Sequence, residues 1–273
     1  MVTFRQLMML PTSNLNLHDY FYNQNQASHI ILIDPDSQSS EAAANRCVTA
    51  IKSGSKMIFV GGSTGTDNHN VDETVISIQN ALLEQSNISS TPEMWDIPVV
   101  LFPACANSFS SSADGITFMM LMNSNSTQFL IDEQLIGAPA IKSANVTPIS
   151  MGYVVCDPGG KVGEVGKANL IKENQIELMK SYSICAEYYG FSLLYLEAGS
   201  GSSNPVSPNL IKAARESCNL TLIVGGGIRD GESARLAVQA GADWIVTGNL
   251  CEEFADTHEL QTTLSNFITE MKR

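Results

Sequence analysis

Basic residues are scarce. Fifteen Lys and Arg stand against 28 Asp and Glu in 273 residues, a formal net charge of −13. Affinity for a nucleic-acid backbone comes mostly from Lys and Arg, so that class of partner is excluded. An anionic ligand has to be held by backbone N–H groups or a metal ion rather than by a basic surface. Histidine is scarcer still: His18, His29, His69 and His258 are scattered and form no metal-ligand spacing. His29 opens a strand and reads as structural. No Ser-His-Asp or Cys-His arrangement is legible. The cysteines, Cys47, Cys105, Cys156, Cys185, Cys218 and Cys251, include no CxxC pair and read as buried, reduced thiols of a cytosolic protein. Long apolar runs are missing too. The densest, "ITFMMLM", stops at Asn123, short of the roughly 18 residues of a membrane span. The opening "MVTFRQLMMLPTSNL" lacks the apolar core of a signal peptide. Without secretion, the N-x-S/T sequons at Asn87, Asn125, Asn145 and Asn219 are chance matches. The expectation is a cytoplasmic chain without a transmembrane segment.

What is present is a rhythm of short apolar runs and helical patterns. Hydrophobic residues make up 44% and charged residues 16%, which suits a compact enzyme. Strand candidates begin at His29, Lys56, Pro98, Gly115, Ile149, Ser192, Leu220 and Asp243. They are apolar throughout, as parallel strands covered on both faces are. Between them, "SEAAANRCVTAIKSG" closes on Gly54 as a helix C-cap, and "NQIELMKSYSICAEYYG" places Ile176, Met179, Ile184 and Tyr188 near one face. Eight strands alternating with helices describe an α/β fold of the TIM (β/α)8 barrel type, with a doubly wound sheet as the runner-up. The segment "PACANSFSSSAD" after Phe102 is too short and polar for a crossover helix, so one outer helix is expected to be missing after strand three. No linker or repeat divides the chain; residues 1–273 read as one domain.

In such barrels the active site lies at the C-terminal strand ends, and phosphate commonly binds after strands seven and eight. There the chain carries "VGGGIRDGESA" and "VTGNL", and strand six ends "YLEAGSGSS". Bare glycines let backbone N–H groups converge on an anion, although tight turns alone also use them. Strand one ends "ILIDPDSQ", leaving Asp34 and Asp36 at the mouth; strand two ends "FVGGSTG", with Ser63 and Thr64 beside them. Such oxygen donors suit Mg²⁺, and an N-cap with a turn is the plainer reading of Asp34-Pro35-Asp36. Arg229 either neutralises an anion or pairs with Asp230 or Glu232.

Taken together, "HIILIDPD", "IFVGGSTG", "PGGKVGEVGKANLI", "YLEAGSG", "IVGGGIRDGESA" and "GADWIVTGN" resemble the geranylgeranylglyceryl phosphate synthase family, in the family's order and from Ser28 to about Leu250. "YLEAGSG" with "DPGGKVGEVGKA" is similar to its larger, second subgroup. The resemblance implies a modified TIM barrel and a prenyltransferase of archaeal ether-lipid synthesis, joining sn-glycerol 1-phosphate to geranylgeranyl diphosphate. It implies Mg²⁺ held by Asp34 and Ser63. Glycerol phosphate would lie along Tyr195, Leu196, Glu197, Ala198, Gly199, Ser200 and Gly201, with Gly226, Gly227, Gly248 and Asn249. Glu197 and Tyr195 become the catalytic candidates, Glu197 either aiming the glycerol hydroxyl or also removing its proton. It further implies a dimer or hexamer, and peripheral membrane contact through the product.

The prenyl chain needs an apolar groove, for which Phe102, Phe109, Phe118 and Met119 to Met122 are candidates. "PACANSF" departs from the glycine-bearing turn expected on that side. Three other readings compete. One is the same chemistry with another prenyl length, as in heptaprenylglyceryl phosphate synthases. Another is a phosphate-binding barrel isomerase or decarboxylase, for which Asp157 and Lys161, in the apparent loop "DPGGK", are the nearby acid/base pair. The last is a non-catalytic binding protein.

Overall fold

The computed structural model describes residues 16–252, 254 and 256–273; the whole of the opening stretch read for a signal peptide lies outside them. Eight strands close a barrel in chain order. They are β1 Ser28–Ile33, β2 Met57–Val60, β3 Val99–Leu101, β4 Gly115–Leu121, β5 Thr147–Val155, β6 Leu193–Glu197, β7 Thr221–Gly225 and β8 Trp244–Thr247. All pairs are parallel, and β1 meets β8 from Ser28↔Trp244 to Ile31↔Thr247, which closes the ring.

The strands are largely apolar because both faces are covered. Along β6, Leu193 and Tyr195 point into the barrel with Ile30, Phe59, Val100 and Ile223. Leu194 and Leu196 point outward into the layer beneath the helices. Helix α1, Leu17–Tyr22, seals the end where the strands begin: Leu17 and Phe21 join the inner cluster, and Trp244 Nε1 donates to the Phe21 carbonyl at 3.0 Å. The mouth is therefore at the opposite end, where the strands stop.

Helix α2, Ser40–Ser53, starts on Ser39, whose side chain accepts from Ala42 N, and ends on Gly54 at φ 110°. That left-handed cap is the one read from the sequence. Helix α3, Asn68–Ile88, opens on a capping box of Asp67 and Asn70. Between β3 and β4 there is no helix, as expected. The loop that replaces it is pinned to the start of α3: Phe109 N donates to Asn68 Oδ1 at 3.0 Å and Ser110 Oγ to Asp72 Oδ1 at 2.5 Å. A π-helical turn, Gln128–Asp132, leads into α4, Glu133–Ala144.

Two expectations need correction. The "DPGGK" segment is not all loop, since Gly160–Val165 forms a short helix, α5, entered through Gly159 at φ 78°. Helix α6, Ile176–Tyr188, buries Met179, Ser183 and Ala186, while Ile184 and Tyr188 are 38% and 85% exposed. A serine tolerates the buried face because its hydroxyl bonds Met179 O at 2.9 Å, so the face cannot be picked by apolarity alone. Helices α7 Pro208–Arg215, α8 Gly231–Gln239, α9 Asn249–Glu252 and α10 Thr257–Met271 complete the ring. Four cysteines are buried; Cys105 is half-buried and Cys185 is exposed on α6. Among the described residues, no helix is long and apolar enough to cross a membrane.

Candidate active site

The last residue of β6 is Glu197, and it is buried at 6% exposure. A charged side chain survives there only if its oxygens are satisfied. Oε1 accepts from Gly199 N at 2.6 Å, and Oε2 accepts from the Tyr153 hydroxyl at 3.2 Å. Tyr195 and the Ala198 N–H bond it as well. Burial outweighs these donors and raises its pKa above the ordinary glutamate value. Glu197 is thus a carboxylate whose affinity for a proton is increased, at the mouth of the barrel.

Tyr195 lies below it. The side chain is 1% exposed, and its hydroxyl is engaged with Glu197 rather than with the open mouth. Its ring is one of a cluster of four: Phe59 stacks on Phe102 at 5.1 Å between centroids, while Phe102 to Tyr195 at 5.2 Å and Tyr195 to Tyr153 at 5.0 Å are tilted pairs. Aromatic pairs at such separations fill the barrel below the mouth. Leu196 faces the other way, into the outer core.

The glycine turns converge on Glu197. A Cβ at Gly226 would stand 2.0 Å from Glu197 Oε1 and 2.6 Å from Gly199 N, and the residue has φ 79°. Glycine is required there on both counts. Gly227 packs in the same way on Asn204, where a Cβ would lie 2.5 Å from the carbonyl oxygen. Gly199 sits against Gly159 and Gly160 in the turn after β5, with a Cβ position 2.4 Å from the Gly159 carbonyl carbon. Ser200 Oγ reaches Asn249 Oδ1 at 2.7 Å, which joins the β6 turn to the end of β8, next to Gly248. The turns after β5, β6 and β7 therefore pack backbone against backbone, and the end of β8 joins them through the Ser200–Asn249 side-chain bond. Arg229 donates to Gly201 O at 3.2 Å, while Asp230 caps α8 through Ser233 N and Glu232 holds Arg235. Of the two roles read for Arg229, pairing with its neighbours is the one not adopted.

On the far rim, Asp34 is half-buried, and a Cβ at Gly62 would lie 2.3 Å from each of its carboxylate oxygens. Ser63, the other expected metal residue, follows Gly62 in the chain. Burial raises the Asp34 pKa; the N–H of Asp36 opposes the shift, Glu252 and Asp36 add to it by repulsion, and Lys161 offsets part. Among the described residues, no group of three or more His, Cys, Asp or Glu gathers as a self-sufficient metal cage. Mg²⁺ does not need one, since it typically takes one or two carboxylates and completes its shell with substrate phosphates and water. An electrostatically crowded carboxylate beside a hydroxyl fits that requirement. His29, by contrast, is sealed between Ser55 Oγ and Thr247 Oγ1 at 2.8 Å each. It is structural, as read.

A deep apolar groove opens where the outer helix is missing. It runs from Glu197, Gly62 and Ser63 past Phe102, Phe109, Phe118 and Met119 to α4, which contributes Gly137 and Ile141. Of the groove candidates, Met120 and Met122 do not line it. Phe129, Val162 and Val165 line it and were missed, as was Tyr153. The signal for Tyr153 was its place in "ISMGYVVC", two residues before the end of a strand. Asp157 and Lys161 are exposed beside the β5 turn, and among the described residues no hydrogen bond joins them as an acid/base pair.

Known proteins resemble the chain as a whole. Residues 22–266 match the model of the PcrB family. The chain is 41% identical over 246 residues to a geranylgeranylglyceryl phosphate synthase of Methanococcoides burtonii, covering 90% of this chain and 93% of that one. It is 39% identical over 249 residues to the synthase of the same name from Thermoplasma volcanium, covering 91% and 92%. Among solved structures, it is similar to (S)-3-O-geranylgeranylglyceryl phosphate synthase from Thermoplasma acidophilum in complex with its substrate sn-glycerol-1-phosphate. There the TM-score is 0.82 at 34% identity, covering 100% of this chain and 99% of that one.

Proposed function

The chain belongs to the PcrB family, and on that premise we propose that it is a geranylgeranylglyceryl phosphate synthase. It joins the free hydroxyl of sn-glycerol 1-phosphate to the allylic carbon of geranylgeranyl diphosphate as an ether and releases pyrophosphate. The observation that carries this reading is the position of Glu197, a buried carboxylate between a floor of glycine turns and an apolar groove. One side suits a small phosphorylated alcohol, and the other suits a long hydrocarbon.

In this reading, the glycerol phosphate lies along Tyr195 to Gly201. Gly226, Gly227, Gly248 and Asn249 supply backbone donors, and the short helix α9 after β8 adds its N-terminus, a common phosphate arrangement in such barrels. Glu197 accepts a hydrogen bond from the attacking hydroxyl, aims its oxygen at the allylic carbon and takes its proton. The raised proton affinity of the buried carboxylate makes it the better base. Tyr195 holds Glu197 from below. The groove fixes the prenyl chain so that the reacting atoms stay aligned, which matters most where the carbon develops cationic character. Asp34 and Ser63 would hold Mg²⁺, whose charge, when bound, would neutralise the negative charge growing on the departing pyrophosphate. Aliphatic and aromatic side chains exposed on α4 and α6, such as Leu135, Ile136 and Tyr188, support a homo-oligomer. The reaction belongs in the cytoplasm at a membrane surface, where such a lipid product partitions.

Incubation with Mg²⁺, sn-glycerol 1-phosphate and prenyl diphosphates from geranyl to heptaprenyl tests the reading. Mass spectrometry should find the prenylglyceryl phosphate ether, most abundant with the geranylgeranyl donor and lost on chelation with EDTA. Folded protein that yields no ether with any donor contradicts it. A preference for the heptaprenyl donor would keep the chemistry and reassign the substrate.

A further inference from the structure

We propose that Tyr153 is a positioning residue for Glu197, and that it couples the carboxylate to the inner end of the apolar groove. The inference rests on the prenyltransferase reading and goes beyond it, since the turns and metal residues of that reading leave Tyr153 without a role.

Tyr153 lies on β5 directly opposite Tyr195 in the β5–β6 register, and it is buried. Its hydroxyl donates to Glu197 Oε2, while Oε1 is bound by the backbone of the β6 turn at Gly199. The two carboxylate oxygens therefore have different masters. One is tied to the phosphate floor, the other to a side chain of the neighbouring strand. A carboxylate turns readily about its last bond, because that torsion has only broad minima. A bond at each oxygen resists that rotation more strongly than one alone, and Tyr153 supplies the second bond from the groove side.

The ring of Tyr153 has a second duty. It borders the groove with Phe102, Leu121 and Val162, and its centroid lies 5.9 Å from that of Phe102. The wall that a prenyl chain touches and the hydroxyl that orients the base thus belong to one rigid side chain. Facing Glu197 are the hydroxyls of Tyr153 and Tyr195, the N–H groups of Ala198 and Gly199, and the Cys156 thiol. Burial and the nearby Glu197 push the Tyr153 phenol well above its ordinary range, and burial also keeps the Cys156 thiol protonated. Tyr153 hence remains a donor throughout. In the transfer, the glycerol oxygen bonds to the allylic carbon and its proton passes to Glu197. The bond from that carbon to the diphosphate oxygen breaks, and its electron pair leaves with pyrophosphate. The Tyr153 proton stays where it is.

The test is the pH dependence of kcat, with both KM values, for wild type, Tyr153→Phe, Glu197→Ala and the double variant. Phe keeps the groove wall and removes only the donor. A hydrogen bond to a charged group is lost, so kcat should fall about tenfold or more. The acid limb of the kcat profile should move to higher pH, because the ionised carboxylate has lost a donor. KM for geranylgeranyl diphosphate should stay within about twofold, as expected when ground-state contacts are kept. In the Glu197→Ala background, Tyr153→Phe should have no further effect. Tyr20→Phe, which deletes a hydroxyl bonded to Lys56 O at the closed end, should match wild type. Tyr153→Met repeats the test with a flexible filler if Phe packs poorly. Full kcat with an unmoved acid limb overturns the inference, as does an additional loss in the Glu197→Ala background. Wild-type turnover in the same assay separates this failure from failure of the enzyme reading, which would show as no product at all.

Discussion

A buried glutamate is costly unless it is used, and Glu197 is surrounded by the means of using it. Four donors hold it, a glycine at position 226 makes room for it, and burial still raises its affinity for a proton. The strand period of two places Tyr195 and Glu197 on one face in any reading of "LLYLE". Which face is inward was not legible, because Leu194 and Leu196 are as apolar as the inner residues and both faces of the sheet are buried. For the same reason the place of Tyr153 near the end of "ISMGYVVC" was too weak a signal by itself to set it apart from a core filler. A titrating residue of a different kind is His29. It is sealed between two hydroxyls, and burial, with a lesser contribution from Lys272, lowers its pKa from 6.5 to about 3. A depressed histidine contributes stability that is present above its unfolded value and lost as pH falls toward the folded one. At roughly 1.4 kcal/mol per pH unit, this amounts to about 2 kcal/mol lost by pH 5. Glu197 and Asp34 act in the opposite sense: protonation favours their folded forms, so they restore some stability as pH falls through their raised values. The melting temperature should therefore decline from pH 7 to pH 4, and His29→Gln should flatten that decline. An equal decline in the variant would remove His29 from the account.

At the level of elements, the missing helix between β3 and β4 is what creates a second substrate path. Its absence was legible because "PACANSFSSSAD" cannot span a helical crossover. How the loop is held was not, because the partners Asn68 and Asp72 come from α3, far away in sequence. The short helices α1 and α5 were also missed. Six residues carry too little periodicity to be noticed, and α5 includes Gly160 and Gly163. By contrast, the strand ends and glycine turns were legible, since each is a local event marked by a change in residue type. Because the pinned loop forms one wall of the groove, loosening it should affect only one substrate. Asn68→Ala combined with Asp72→Ala removes two hydrogen bonds, each worth about 1 kcal/mol. KM for geranylgeranyl diphosphate should rise about tenfold by steady-state kinetics, while KM for sn-glycerol 1-phosphate stays unchanged. Parallel increases in both would show that the loop supports the whole mouth rather than the groove.

For the molecule as a whole, the question is how a chain with a net charge of −13 takes two anionic substrates. The cations at the mouth are few: Lys161 lies near Asp34, and Arg229 is bonded to the Gly201 carbonyl. Backbone N–H groups from four successive strand ends can supply the remaining recognition without net charge. Chain order does the rest, since the end of β6 stands between the phosphate floor of β7 and β8 and the groove of β3 and β4. The central claim is that the hydroxyl oxygen of the bound glycerol attacks the allylic carbon across this boundary, with Glu197 as its base. Labelling that hydroxyl of sn-glycerol 1-phosphate with oxygen-18 tests it most directly. After turnover with geranylgeranyl diphosphate, the label should be found entirely in the ether and not in pyrophosphate. Label in pyrophosphate, or an ether without label, would contradict the claim.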